Sequence, residues 1–312
     1  MATFTTVDAV GEREDLIDVI YDISPTDTPV MSSIGRTNAT AVNHEWQTDS
    51  LAAATTANFA AEGADATAAT AAPTSRLGNY TQIVQKTIQV SGTLDTAVDK
   101  AGRASEKQYQ VSKASEELKR DIELIINSNQ AKAGTTTTRK MGTLLSWITT
   151  NVNKGASGTN PTGDGSDIRS DDTTRTFTET MLKDAVQQVY TSGGSPELLV
   201  VPTGLKSTVS AFTGIAEHRV TGESNQPRTI IANADAYLSD FGLIQIVPNR
   251  FMRATDALIL DPEYAALAYL RPFVSQDLAK TGDSEKTQIL AELTLQVSTE
   301  QAHGGVFDLN AA

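Results

Sequence analysis

The run Lys286–Ser298 constrains this chain more than any other. Ile289, Ala291, Leu293, Leu295 and Val297 fall on one side, and Glu292, Thr294, Gln296 and Ser298 on the other, with Leu290 the one apolar intruder. Side chains of an extended chain point alternately to opposite faces, so the pattern predicts a long, half-buried β-strand. Ahead of it lie Ala257-Leu-Ile-Leu-Asp-Pro262, then Tyr264-Ala-Ala-Leu-Ala-Tyr-Leu-Arg-Pro272, then the polar run Leu278–Lys286, which reads as a charged loop leading into the strand. Such a strand needs a core beneath it. A chain of 312 residues can bury one, as a single elaborate domain or two intimate ones.

From about Arg103 to Asn129 the apolar period becomes helical. Ala104, Val111, Ala114, Leu118, Ile122 and Ile125 form one stripe. Lys113/Glu117, Glu116/Arg120 and Lys119/Glu123 stand at i,i+4 on the side expected to be exposed. At ~1.5 Å per residue the helix would be on the order of 40 Å long, a strut across a domain. The stripe is too short to indicate a coiled coil.

The N-terminal part is less regular. Leu16, Ile17, Val19 and Ile20 could form one or two helical turns, before Ile23-Ser-Pro-Thr-Asp-Thr-Pro-Val-Met31. The two prolines there remove backbone donors and hold the chain extended or turning, as an arm lying on a partner would be. Leu51–Ser75 is nearly half alanine, interrupted by Thr55-Thr56, Gly63 and Pro73. It is flanked by the strand-like runs Ala41–Gln47 and Tyr80–Val90. A long excursion between two strands predicts an extended hairpin tongue ordered against a neighbour.

Residues 134–175 are weakly patterned, with Gly142–Ile148 the apolar stretch among them. A small α/β lobe follows. Thr176 and Glu179 make a capping-box pattern ahead of a helix carrying Phe177, Met181, Leu182, Ala185, Val186 and Val189. Glu197–Val201 reads as a buried strand, Gly204–Phe212 as a short helix, and Leu243–Val247 as a second strand.

Chemistry is hard to find. There is no cysteine, hence no disulfide, thiolate nucleophile or Cys-ligated metal. No Gly-Lys P-loop, G-x-G-x-x-G, H-E-x-x-H or G-x-S-x-G motif occurs. His44, His218 and His303 are isolated in sequence, and His44 beside Trp46 reads as packing. Asp164–Asp172 offers oxygen ligands without the spacing of an EF-hand and reads as a solvated loop. Glu116-Glu117 reads as helix surface. No catalytic, cofactor-binding or metal-binding residue is assigned, and no cofactor is expected. No apolar run approaches the ~20 residues that span a bilayer, and the N-terminus lacks a secretory pattern. A soluble protein made in a cytoplasm, with no membrane partner, is the expectation. The net charge of −13, scattered along the chain, argues against a dedicated nucleic-acid binder but not against a wall enclosing DNA.

Four stretches, in order, resemble one family. They are Ile23–Met31, the tongue with Ala61-Glu-Gly-Ala-Asp65, Pro248-Asn-Arg-Phe-Met252, and Leu258–Leu309. Together they are similar to tailed-bacteriophage major capsid proteins with the Hong Kong 97-type shell fold, an α+β fold. The resemblance implies an N-terminal arm at 1–42, an E-loop tongue at 43–92 and a peripheral domain at 93–175 with the long helix as its spine. It implies an axial domain at 176–268 and a return strand of the peripheral domain at 269–312. The implied protein is a non-enzymatic virion component. It self-assembles as homo-pentamers and hexamers into an icosahedral shell around double-stranded DNA, without sequence-specific binding. Its other implied partners are a portal, a separate scaffold protein (since the chain begins almost at the arm) and a decoration protein. Some relatives cross-link lysine to asparagine; Lys86, Lys100 and Asn129 are available, but nothing in their spacing marks such chemistry, and none is assigned to them. Two other readings stay open. One is an encapsulin-like cellular compartment, and the other a soluble hydrolase with a deep polar pocket assembled from distant residues.

Overall fold

A computed structural model describes residues 24–66, 73–97, 104–135, 137–212 and 236–310. The Leu16–Ile20 turns, Lys100, Arg103 and His218 lie outside them. The chain enters through α1 (Pro29–Ser33), where Pro29 supplies a φ suited to a first helical turn. It continues through β1 (Gly35–Asn38), β2 (Asn43–Thr48), β3 (Ser75–Tyr80) and β4 (Gln82–Ser91) to α2 (Glu106–Ile126) and α3 (Leu144–Trp147). Next come β5 (Val152–Asn153), β6 (Arg175–Thr176), α4 (Glu179–Thr191), β7 (Leu198–Pro202) and α5 (Thr203–Ser210). After these stand β8 (Ala236–Ser239), β9 (Gly242–Asn249), β10 (Ala257–Leu260), β11 (Ala265–Leu278) and β12 (Ser284–Val297), with β13 (Gly304–Val306) and β14 (Leu309–Asn310) last.

Two larger sheets organise these strands. One runs β1-β11-β12-β4, and the other β5-β13-β10-β7-β9-β8; β2-β3 and β14-β6 form separate pairs. The long β11–β12 ladder shifts register on both sides of Arg271, beside Pro272, which has no N–H to give a ladder.

The six-stranded sheet is the partition between two cores. Leu198 and Val200 of β7, with Leu258 and Leu260 of β10, face a core shared with α2, α3 and β12. Leu199 and Val201, with Ala257 and Ile259, face a second core built by α4, α5 and β9. Burial on both faces explains why these strands read as unbroken apolar runs instead of alternating. Gly304 in β13 permits close approach to α4 and the 151 backbone: a Cβ there would lie 2.7 Å from Val189 and 2.9 Å from the Asn151 carbonyl.

Several sequence expectations change on contact with the structure. The Lys286–Ser298 strand forms, but its middle is buried on both faces: Glu292 and Thr294 are as covered as Leu293. The helix forms over 21 residues, about 32 Å rather than 40 Å, and Ala104 lies before it, exposed. Its buried stripe is Ala114, Leu118, Ile122 and Ile126, with Val111 and Ile125 only half-buried. Glu123 is not on its exposed side but fully buried, and Glu117 pairs with Lys86 of β4 at 2.6 Å. The hairpin exists as β2–β3, so the Tyr80–Val90 run is two things. Tyr80 ends the tongue, while Gln82–Ser91 crosses to the other sheet. The capping box does not form: the N-cap is Thr178, without a side-chain bond, and Glu179 reaches forward to Lys183 at 2.7 Å. The weakly patterned middle holds deep core, with Met141, Leu144, Leu145, Trp147 and Ile148 all buried.

Candidate assembly surfaces

Among the described residues, those considered for chemistry are dispersed and engaged elsewhere. His44 Nε2 lies 2.9 Å from Gln296 Oε1, and its ring is 5.9 Å from that of Trp46. His303 is wholly buried; its Nδ1 accepts the Asp261 N–H at 3.3 Å, and burial holds its pKa down at about 4. Asp164 and Asp167 accept from Ser166, Thr162 and the Thr162 amide within their own turn. Lys86 is paired with Glu117, and Asn129 donates to the Arg169 carbonyl at 2.8 Å. Among the described residues no group of three or more His, Asp or Glu side chains could hold a metal ion. A cleft of about 430 Å³ opens between α4 and β8, lined by Glu179, Lys183, Tyr237 and Phe241 among others.

What the chain does build is a rigid root beneath an exposed tongue. Residues 49–66 between β2 and β3 have no regular strand or helix, and Leu51 and Phe59 are 98% and 85% exposed. Their root is fixed in the body. Asn79 of β3 is fully buried, donating to the carbonyls of Leu295 (2.7 Å) and Gly142 (2.9 Å) and accepting the Gly142 N–H (2.7 Å). Trp46 of β2 packs on Trp147 of α3 with ring centroids 5.3 Å apart. Thr81 donates to Glu292 at 2.8 Å, and Glu292 also binds Arg139 and Arg271, the latter at 2.9 Å. Burial pushes the Glu292 carboxyl up, but the Thr81 and Arg271 hydrogen bonds and the two guanidinium charges outweigh it and leave the pKa lowered.

A second anchor holds the arm. The Glu123 carboxylate accepts the backbone N–H groups of Val30 (3.0 Å) and Met31 (2.9 Å) and the Asn249 side chain (2.6 Å). One side chain thus ties α1 to α2 and to the end of β9. Its pKa is raised because burial outweighs these donors. A third cluster closes the C-terminal end. Arg169 lies over the Phe307 ring at 3.2 Å, and Asp308 accepts the N–H groups of Gly155 and Asp172, each at 2.9 Å. Burial lowers Arg169 to about 10 and raises Asp256 to about 6.

Pattern reading placed Glu123 and Glu292 on exposed faces, left Arg169 in a loop read as solvated and did not single out Asn79; only the structure says what covers each. Exposed apolar side chains occur at several places among the described residues. Besides the tongue, they include Leu238, Leu243 and Tyr190 on the lobe, and Phe273, Val274 and Leu278 on the free half of β11.

Comparison with known proteins gives this arrangement a context. A model of the SU10 major capsid protein family matches residues 2–310. A major capsid protein of Escherichia phage Phieco32 is 36% identical over 129 residues, 41% of this chain and 36% of that protein. The aligned stretch therefore spans little more than a third of that relative's length. Among solved structures, the capsid of a native GTA particle aligns with a TM-score of 0.63 at 11% identity, covering 96% of both chains. The cyanophage A-1(L) capsid aligns with a TM-score of 0.63 at 12% identity, covering 98% of both. Phage G, in a structure of its gp27 major capsid proteins and gp26 decoration proteins, aligns with a TM-score of 0.57 at 10% identity over 99% of this chain and 100% of that one. At such identities the structural likeness speaks for the fold: the α+β, Hong Kong 97-type capsid fold.

Proposed function

The chain belongs to the SU10 major capsid protein family, and from that premise we propose that it self-assembles as pentamers and hexamers into an icosahedral virion shell enclosing double-stranded DNA. The observation that carries this reading is the tongue, an exposed tip with Leu51 and Phe59 bare, mounted on a root with Asn79 and Trp46 locked into the body. A free subunit gains nothing from displaying such a segment. A neighbour that covers it gains apolar burial without reshaping either fold.

The parts then take these roles. Residues 1–42 are an arm reaching a neighbour, with its inner end held by Glu123. Residues 43–92 carry the tongue across an adjacent subunit. Residues 93–175 and 269–312 form the peripheral domain, with α2 as its spine, and 176–268 the axial domain around the capsomer centre. The acidic chain, at −13, encloses DNA without gripping it. A portal and a separate scaffold are further partners. A decoration protein is another, in keeping with the gp26 that accompanies the phage G capsid protein. The family is structural, and its phage relatives favour a virion over a cellular compartment and leave the hydrolase reading without support.

Electron microscopy of the purified protein, sized in parallel by light scattering, tests the reading. Rings, tubes or closed shells are expected. A uniform monomer that persists at high concentration, under crowding and with scaffold co-expressed would overturn it.

A further inference from the structure

Glu123 holds α1 with a charge that no cation answers. The helix has no cap of its own, because Thr28 makes no side-chain bond to it. Its first N–H groups, on Val30 and Met31, are met instead by the two carboxylate oxygens of Glu123, 93 and 92 residues away in sequence. A cap borrowed from α2 thus fixes α1 to the body.

The carboxylate sits where a charge is hard to keep. Glu123, Asn127 and Asn249 are each no more than 1% exposed. Every donor to the carboxylate is neutral: the two backbone N–H groups, Asn249 at 2.6 Å and Asn127 at 3.4 Å. α1 carries no titratable side chain, and Arg250, next after Asn249 of β9, is exposed. On α2, Lys119 and Asp121 are exposed, and Arg120 lies over the Phe251 ring, 5.4 Å from its centroid. Glu123 also stands in the last turn of α2, the negative end of that helix, where no basic residue offsets it. Burial thus outweighs the donors and raises the Glu123 pKa. The neutral form, for its part, has an acceptor waiting. Asn127 Oδ1 is buried with no hydrogen-bond partner, and a carboxyl O–H is the donor it lacks.

We propose that Glu123 is a proton-linked clasp, which holds α1 more firmly when the carboxyl is protonated and more loosely when it is charged. When α1 lifts, water reaches the carboxyl and its proton affinity falls, so each proton bound favours the docked helix. Docking strengthens as pH falls toward the ordinary glutamate range and weakens as pH rises through the raised docked value. Val30, Met31 and Ile34 are buried in the core and keep α1 in place at either pH. The clasp sets how often it lifts. On the assembly reading, the arm of a subunit near neutral pH is readier to leave its own body for a neighbour. The inference rests on that reading for this consequence alone.

Hydrogen exchange of residues 29–34 in the full-length unassembled chain tests the clasp, followed from pH 8 to pH 5 and corrected for intrinsic rates. Protection in the parent is expected to rise at least about threefold over that range. Glu123→Gln, a neutral side chain of the same shape, is expected to remove the slope whatever its absolute protection. Glu116→Gln, on the exposed side of α2, is expected to keep it. A flat parent profile, a slope that survives Glu123→Gln, or one lost equally in Glu116→Gln would overturn the proposal. Should Glu123→Gln not fold, the carbon-13 signal of the Glu123 carboxyl in the parent gives the same test. Its titration is expected to track the exchange profile, and a midpoint no higher than the 4.5 of a free glutamate side chain would overturn the clasp. Shells formed by a chain with a flat profile would sink the clasp and leave the assembly reading standing. A sloped profile in a chain that forms no shells would do the reverse.

Discussion

The root and the tip of the tongue are joined by a few residues yet obey opposite rules. At the root, the main anchoring side chains pack or bond inside their own subunit: Trp46 on Trp147, Asn79 on the Gly142 and Leu295 backbones, Thr81 on Glu292. At the tip, Leu51 and Phe59 have none of that cover. The lesson is that a subunit made for assembly divides its interactions. The root's anchoring contacts are made before any neighbour arrives, so the tip can be presented from a fixed base at little entropic cost.

Substitutions can break this division from either end. The largest effect on the lone subunit is expected at Trp147→Ala, which empties a fully buried site beneath the root. It should cost about 3–5 kcal/mol in denaturant unfolding. Glu292→Ala comes next. It strands Arg139 and Arg271, but these are 24% and 50% exposed, so water recovers part of the loss. A cost of about 1–3 kcal/mol is expected. Equal destabilisation by tip substitutions would erase the distinction between root and tip.

Acid sharpens the comparison through two buried groups of the body, His303 and Asp256. His303 is held at about 4 in the folded chain, against 6.5 for the free side chain. Between those values the unfolded chain binds the extra proton, so its contribution to stability is full above pH 6.5 and is lost as pH falls toward 4. Asp256 works the other way. Raised from 3.8 to about 6, it favours the folded state on protonation, so its effect is to lower stability as pH rises from 3.8 through 6. The two oppose each other over that window. His303→Asn should flatten the acid limb of a melting-temperature profile, and Asp256→Asn should steepen it. The reverse pattern would show that neither group governs the limb.

How much of this was legible in the sequence follows from what each signal measures. Periodicity reports one buried face, and it found α2, β12 and the lobe strands because each has at least one. It misplaced Glu292 and Glu123 because a second covering layer, the tongue root or α1, comes from residues hundreds or scores of positions away. The tongue was visible as composition, but its partner strand was not, since Ser75–Tyr80 is short, polar and glycine-bearing. The buried α3 turn was hidden by its length of 4 residues, too few to display a helical period.

The smallest effects on the lone subunit are expected at the tip. Deleting Ala53–Pro73 should leave unfolding of the body within about 0.5 kcal/mol of the parent, since its described residues, 53–66 and Pro73, are all exposed, yet abolish shells. Phe59→Ser should change stability as little and lower shell yield measurably by light scattering. Unchanged assembly in both would remove the tongue from the account.

Hydrogen exchange, compared between free subunits and assembled shells, tests the central claim most directly. The root strands Asn43–Thr48 and Ser75–Tyr80 should be protected in both states, and residues 49–66 should exchange fast in the free subunit and become protected only in the shell. Tip residues that exchange equally fast in both states, or a root that is protected only after assembly, would contradict it.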